Sequence, residues 1–174
     1  MMLSRLDILK AIKKKGIGIT PFDKSCVGAV SYDLHLGSEF MLFRKHGRAI
    51  FVKEDTILPK NHARKVVLGP HEVLHLKPQQ FVLGVTKEKI KLSGKYAGRI
   101  EGRSRFARLG LMVHISSSLI QPGSNNVQVL EIVNLSTVPL ILKPGTRICQ
   151  VTFFETSGDE KYAGKFRLQS GIRV

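Results

Sequence analysis

One acidic residue set inside an apolar run is the sharpest chemical signal in the chain. Val127-Gln-Val-Leu-Glu-Ile-Val133 surrounds Glu131 with apolar neighbours. In a strand, alternate residues share a face, so Val129 and Val133 would flank Glu131 while Leu130 and Ile132 point the other way. A carboxylate in such surroundings is costly unless it is paired or hydrogen-bonded. Its proton affinity is then open to adjustment, which is what a general acid or base needs. An edge-strand Glu facing water, or a Glu paired with an arginine, satisfies the same pattern.

The densest cluster of donors is Glu101-Gly-Arg-Ser-Arg-Phe-Ala-Arg-Leu-Gly110. A strand ends near Ile100, Gly102 permits a tight turn, and Ser104 opens one or two helical turns ending near Gly110. That arrangement offers free N–H groups to an anion. Arg103, Arg105 and Arg108 add donors suited to phosphate or carboxylate. Ser104 and Arg108 are four apart and would share a helix face. A capped surface helix with solvated arginines gives the same string. A third stretch, Ser116-Ser-Ser-Leu-Ile-Gln-Pro-Gly-Ser124, supplies hydroxyls, the Gln121 amide and a tight turn just before the Glu131 strand. It could position a water or a base edge, or be an ordinary polar loop.

Other chemistries lack their residues. No H-x-E is followed by C-x-x-C, the pattern of zinc nucleobase deaminases, so no catalytic zinc is expected. His35, His46, His62, His71, His75 and His114 form no H-E-x-x-H pattern. There is no Walker loop and no G-x-S-x-G. Cys26 and Cys149 have no C-x-x-C partner and read as two buried thiols.

The elements that must hold these residues are mainly strands. The exception opens the chain. Met1 to about Gly16 reads as a helix, with Ser4 as N-cap, Asp7 three residues on, and a stripe of Leu6, Leu9 and Ile12 with Ile8. After Pro21, short apolar runs alternate with turn residues: Tyr32–Leu36, Glu39–Phe43, Ala49–Val52, Glu72–Leu76, Phe81–Thr86, Tyr96–Ile100, Leu111–Ile115, Val127–Val133, Leu140–Leu142 and Arg147–Phe154. Many short strands punctuated by Gly and Pro indicate a sandwich or barrel. The length of 174 residues suits one domain, with a polar tail from about residue 157 that could be mobile.

Along the whole chain the residues resemble one family. Glu101-Gly-Arg-Ser-Arg-Phe-Ala-Arg-Leu-Gly-Leu111 is similar to the signature helix of dCTP deaminases and their bifunctional dCTP deaminase/dUTPase relatives, and Val129-Leu-Glu-Ile-Val-Asn134 to the strand with their catalytic Glu. Ser31-Tyr-Asp-Leu-His-Leu-Gly37, Phe81-Val-Leu-Gly84, Pro144-Gly145 and the tail Gly164-Lys-Phe-Arg-Leu-Gln-Ser-Gly171 also fit, as does the spacing from Ser104 to Arg108 to Glu131.

The resemblance implies a distorted β-barrel or jelly roll of the dUTPase-like type, with an N-terminal and a short internal helix. It implies a homotrimer with active sites between subunits, and Mg2+ bound with the substrate triphosphate. The reaction would be hydrolytic deamination of dCTP to dUTP and ammonia. Glu131 would activate the water in an apolar pocket that raises its basicity, with Ser104 and Arg108 placing water and carboxylate. Arg103 and Ser104 would meet phosphate, Ser116 and Ser117 the pyrimidine edge, and Lys165 and Gln169 would close the tail over the triphosphate. Gln121 departs from the pattern: family members usually carry Asp there, which in dUTPases and bifunctional members contacts the sugar and helps position the water that attacks phosphate. That argues against the alternative activity, a dUTP diphosphatase or bifunctional enzyme releasing dUMP and pyrophosphate.

The net charge of +15 attracts phosphate in any form. With nine Phe, three Tyr and no Trp, the chain shows no aromatic stacking platform of the kind single-strand binders use, so a nucleotide is expected as partner and nucleic acid is not. No apolar run approaches the roughly 18 residues of a membrane span. Arg5, Asp7 and Lys10 interrupt any signal-peptide core, so the cytoplasm is the expected location.

Overall fold

A computed structural model describes residues 1–44, 49–54, 56–59 and 61–172; His46 lies outside the described residues. The chain opens with α1 (Arg5–Lys13). Ser4 caps it: the Asp7 amide donates to the Ser4 hydroxyl, which donates in turn to the Asp7 carboxylate at 2.6 Å. The helix is shorter than Met1 to Gly16, and its buried face is Ile8 and Ala11, with Leu9 and Ile12 partly covered. Leu6 is two-thirds exposed, so it leaves the expected stripe.

Eleven strands follow among the described residues: β1 (Ile17–Thr20), β2 (Ser31–Phe43), β3 (Ala63–Val67), β4 (Leu74–Leu76), β5 (Phe81–Leu92), β6 (Tyr96–Gly102), β7 (Leu111–Val113), β8 (Leu119–Ile120), β9 (Asn125–Asn134), β10 (Leu140–Leu142) and β11 (Arg147–Glu155). A second helix, α2 (Ser104–Ala107), separates β6 from β7. Nine strands form one antiparallel sheet in the order β7-β9-β5-β2-β11-β6-β8, with β1 on β5 and β3 on β2. It curls into a half-barrel, as expected of a distorted barrel. β10 and β4 form a separate pair. The core inside the curl centres on the fully buried Tyr32, Phe40, Leu130, Ile132 and Phe153.

Three sequence expectations change. Gly37 does not break β2, which runs straight through it with a shift of register against β5 between Leu36 and Phe40. The glycine is required by close approach: a Cβ there would stand 2.8 Å from Val85 Cγ2 and 3.0 Å from the Val85 carbonyl. Ala49–Val52 is not a strand, and Phe51 and Val52 are more than four-fifths exposed. Apolar β-formers make a strand only with a partner to pair with. The far half of β2 pairs instead with β3, from Glu39↔Val67 to Phe43↔Ala63. Finally, β5 continues to Leu92 past a register shift against β9 between Val85 and Lys89.

Both cysteines are buried and free. Among the described residues no helix is long and apolar enough to cross a membrane.

Candidate active site

Glu131 stands in the middle of β9, where Leu130 and Ile132 are fully buried. On one side β5 sets Leu83 opposite it; on the other, β7 ends at the Val113↔Ile132 pair. Beyond β7 the chain turns at His114, which adopts a positive φ of 68°, and its amide donates to the Glu131 carbonyl at 2.7 Å. That turn aims the next donors at the carboxylate. The Ile115 amide reaches Oε2 at 2.9 Å, the Ser116 amide reaches Oε2 at 2.5 Å, and the Ser116 hydroxyl donates to Oε1 at 2.8 Å.

These donors decide the state of Glu131. Burial pulls its carboxyl up, but the Ser116 amide and hydroxyl, the Ile115 amide and the nearby His114 ring together outweigh burial. The group is held below the ordinary carboxylate range. The expectation that apolar surroundings raise its basicity is therefore corrected: hydrogen bonds to the charged form favour that form. Glu131 is a carboxylate at neutral pH.

The carboxylate opens onto a cavity of about 440 Å³. It is lined by Leu83, Val129, His114 and Ser117, and by Gln121, Ser124, Asn126 and Gln128. Tyr162, Phe166 and Gln169 of the C-terminal segment complete it. That segment lies along the free edge of β9 beyond β7. Tyr162 N donates to the Pro122 carbonyl (2.8 Å), Asn125 N to the Arg167 carbonyl (2.8 Å) and Val127 N to the Gln169 carbonyl (3.2 Å). Ile172 N is fastened to Glu39 Oε1 at 2.6 Å.

Of the residues singled out from sequence, Glu131, Ser117, Gln121 and Gln169 meet at this cavity. Ser116 serves it through Glu131. Lys165 lies over the Phe166 ring, 4.8 Å from its centroid. Ser104, Arg105 and Arg108 are exposed on and just after α2, and do not line the cavity of their own chain. Ser104 opens this helix, which is a single turn capped by Arg103 with no side-chain hydrogen bond. The turn that follows it closes at Gly110, whose φ is +77°; a Cβ there would stand 2.8 Å from the Ser136 amide. Arg103 is engaged within the chain, 3.3 Å from Asp33 Oδ2 and donating to the Arg147 carbonyl at 2.9 Å.

Sequence reasoning reached Ser124 only as the end of the Ser116–Ser124 loop, and did not single out His114, Asn126, Gln128, Tyr162 or Phe166 as site residues. One signal was available: Asn126 and Gln128 share the buried side of β9 with Leu130 and Ile132, where polar side chains need a reason. His114 has no such signature, because its placement follows from the positive-φ turn. Among the described residues, no group of three His, Cys, Asp or Glu side chains stands close enough to hold a metal ion.

Residues 2–156 match the family described as dCTP deaminase-like. The chain belongs to that family. A protein of Tropheryma whipplei named "dCTP deaminase, dUMP-forming" is 37% identical over 164 residues, covering 94% of this chain and 82% of the relative. A protein of Thermomicrobium roseum named "dCTP deaminase" is 37% identical over 180 residues, covering 95% and 90%. Among solved structures, the 2'-deoxycytidine 5'-triphosphate deaminase of Agrobacterium tumefaciens superposes with a TM-score of 0.66 at 19% identity. That match covers 87% of this chain, which spans a little under half (47%) of the Agrobacterium chain. The resemblance first carried by the Glu101–Leu111 and Val129–Asn134 motifs is thus established across most of the chain.

Proposed function

We propose that the protein hydrolytically deaminates the cytosine ring of dCTP, with Glu131 as the carboxylate that handles the water's protons. The observation that carries this is a carboxylate held by three hydrogen bonds and facing a cavity of about 440 Å³. Water attacks C4 of the base as Glu131 accepts one of its protons. The same group then delivers a proton to the ring nitrogen and assists the departure of ammonia. Such proton handling contributes typically 10²–10⁴-fold, and positioning supplies much of the rest. A carboxylate held by three donors is a weak base, so the Ser116 hydroxyl must rotate from Oε1 to the incoming water as the proton moves.

The exposed Arg108, Ser104 and Arg105 then act on the site of a neighbouring copy, in a homotrimer with active sites between subunits. Their position outside their own cavity supports that reading. Arg103 and Lys165 would meet the triphosphate, which enters with its Mg2+, and Ser117 the base edge. The cytoplasm is the setting such a nucleotide enzyme requires.

Deamination stops at dUTP in this reading, because Gln121 at the cavity wall is neutral and cannot take a proton from a water attacking phosphorus. The second reading, continued hydrolysis to dUMP and pyrophosphate, is favoured by the name of the Tropheryma relative. One incubation of pure protein with dCTP and Mg2+ tests both, by resolving ammonia, dUTP, dUMP and pyrophosphate over time. Absence of ammonia release sinks the deaminase reading. Pyrophosphate released in step with ammonia selects the second reading.

A further inference from the structure

Asn126 and Gln128 are buried amides on the side of β9 opposite Glu131. Buried amides need partners, and theirs form a chain. The Gln128 side chain donates to Asn126 Oδ1 at 2.7 Å. That bond fixes which end of the Asn126 amide is the oxygen, so its nitrogen turns the other way and donates to the Phe166 carbonyl at 2.7 Å. Gln128 is held from behind. Its backbone amide donates to the Thr86 hydroxyl at 3.0 Å, and that hydroxyl donates to the Glu88 carbonyl at 2.7 Å. Thr86 and Glu88 are each 1% exposed, so the chain starts from a fixed point in the interior.

The far end of the chain is a segment with little packing of its own. Lys165, Phe166, Arg167 and Leu168 are all exposed, and the next buried apolar side chain is Ile172. Backbone bonds from Asn125 to the Arg167 carbonyl and from Val127 to the Gln169 carbonyl lay the segment along the edge of β9. Backbone bonds of an exposed stretch open at low cost. The Asn126 amide adds a bond of another kind, from the one β9 side chain that reaches the segment among the described residues. Because Gln128 already orients it, Asn126 has little freedom to lose in making that bond, and neighbouring bonds in such a chain strengthen one another.

We infer that Asn126, oriented by Gln128, is a positioning residue that fixes the Phe166–Gln169 stretch against the cavity and so places the groups of that stretch that face the nucleotide. This rests on the proposed reading in which Lys165 and Gln169 meet the triphosphate. Asn126 acts through Phe166 and leaves Glu131 alone, since the carboxylate is held separately by Ile115 and Ser116. Its contribution therefore falls on binding. A loosened segment must be ordered when the nucleotide binds, which weakens binding without changing the chemical step once the nucleotide is seated.

The test is Asn126→Asp, which is nearly isosteric. It keeps an oxygen to accept from Gln128 and replaces the donor to Phe166 by a second oxygen facing the Phe166 carbonyl. Amide hydrogen exchange at residues 164–169 is expected to quicken roughly tenfold or more, while exchange in the middle of β5 and β9 stays slow. KM for dCTP with Mg2+ is expected to rise roughly tenfold, with kcat within about threefold of the natural protein. Gln128→Leu leaves the donor in place but frees its orientation, and should shift both readouts in the same direction by less. If Asn126→Asp loses the slow exchange of β5 and β9, and so is misfolded, Asn126→Ala carries the same expectations. Unchanged exchange at 164–169, or a loss that falls on kcat with KM unmoved, overturns the inference while leaving dCTP deamination intact. If the natural protein releases no ammonia from dCTP, the deaminase reading fails, and the exchange of residues 164–169 still decides whether Asn126 holds the segment.

Discussion

Ser116 holds Glu131 twice, by its backbone amide at 2.5 Å from Oε2 and by its hydroxyl at 2.8 Å from Oε1. The two bonds differ in kind. The amide is fixed by the turn after His114, whereas the hydroxyl can rotate. Glu131 therefore has one anchored oxygen and one whose partner can change.

Glu131→Gln keeps the shape and the Oε acceptor but removes the proton carrier. We expect ammonia release to fall by roughly 10²–10⁴-fold, the usual contribution of general acid/base catalysis. Nucleotide binding, followed by calorimetry, is expected to persist. Turnover within tenfold of the natural protein would make Glu131 a structural residue.

Ser116→Ala removes the hydroxyl bond and keeps the amide. Because hydrogen bonds hold Glu131 below the ordinary carboxylate range, losing one lets its pKa rise. The acid limb of the kcat/KM profile is expected to move to higher pH. The stability sign follows from linkage: a carboxyl depressed by folding stabilises above its unfolded pKa, and that contribution is lost as pH falls through the folded value. The variant loses part of this pH-dependent stability. Denaturant midpoints measured between the neutral and acid ranges should therefore fall less steeply than those of the natural protein. An acid limb that stays in place would show that the hydroxyl does not tune Glu131.

Glu131 was legible in the sequence because a single charge interrupts an apolar run. The strands Tyr96–Ile100, Leu140–Leu142 and Arg147–Phe154 were legible because their apolar positions coincide with paired, buried positions. Ala49–Val52 shows the limit: β-propensity describes a residue, and pairing requires a second segment the residue cannot specify. Glu88 shows another. In Lys87-Glu-Lys89 it reads as a solvated charge, yet it is 1% exposed and accepts from the His35 amide at 2.9 Å, with its other oxygen 2.5 Å from the His35 ring. The register shift between Val85 and Lys89 brings it inside, and no local pattern announces a bulge. The cavity was partly legible for a similar reason. Ser116, Ser117 and Gln121 precede Glu131 closely in the chain, whereas Tyr162 and Phe166 arrive from a segment whose docking depends on the exposed edge of β9.

Arg108→Ala and Glu131→Gln chains are each expected to be severely impaired alone. Co-refolded, they are expected to regain measurable ammonia release, because a mixed assembly contains some sites with Arg108 from one copy and Glu131 from another. If the groups acted within one chain, every site would carry one defect and mixing would restore nothing.

Exhaustive chelation followed by restoration of Mg2+ is expected to leave ammonia release within twofold of the untreated protein. The ground is the ligand chemistry of the chain, which lacks the His/Cys set a zinc deaminase uses. Zinc at one equivalent in active protein, with activity lost and regained as it is removed and returned, would overturn the proposed proton chemistry at Glu131.

Gln121→Asp tests where the reaction ends. Cleavage at the α-phosphorus needs a water oriented on that atom and a group to receive its proton, and a carboxamide can do only the first. In the proposed mechanism deamination uses a different water, beside Glu131, and should tolerate the change. The natural protein is expected to accumulate dUTP, and the variant to release pyrophosphate at least tenfold faster while ammonia release changes little. Because Gln121 is exposed at the cavity rim, the new carboxylate is placed without a burial penalty, so the variant should fold as the natural protein does. If the natural protein already yields dUMP and pyrophosphate at the rate of ammonia, the proton must find another acceptor. Glu131 is the first to examine, since it is ionised and shares the cavity, and loss of pyrophosphate release in Glu131→Gln protein supplied directly with dUTP would identify it.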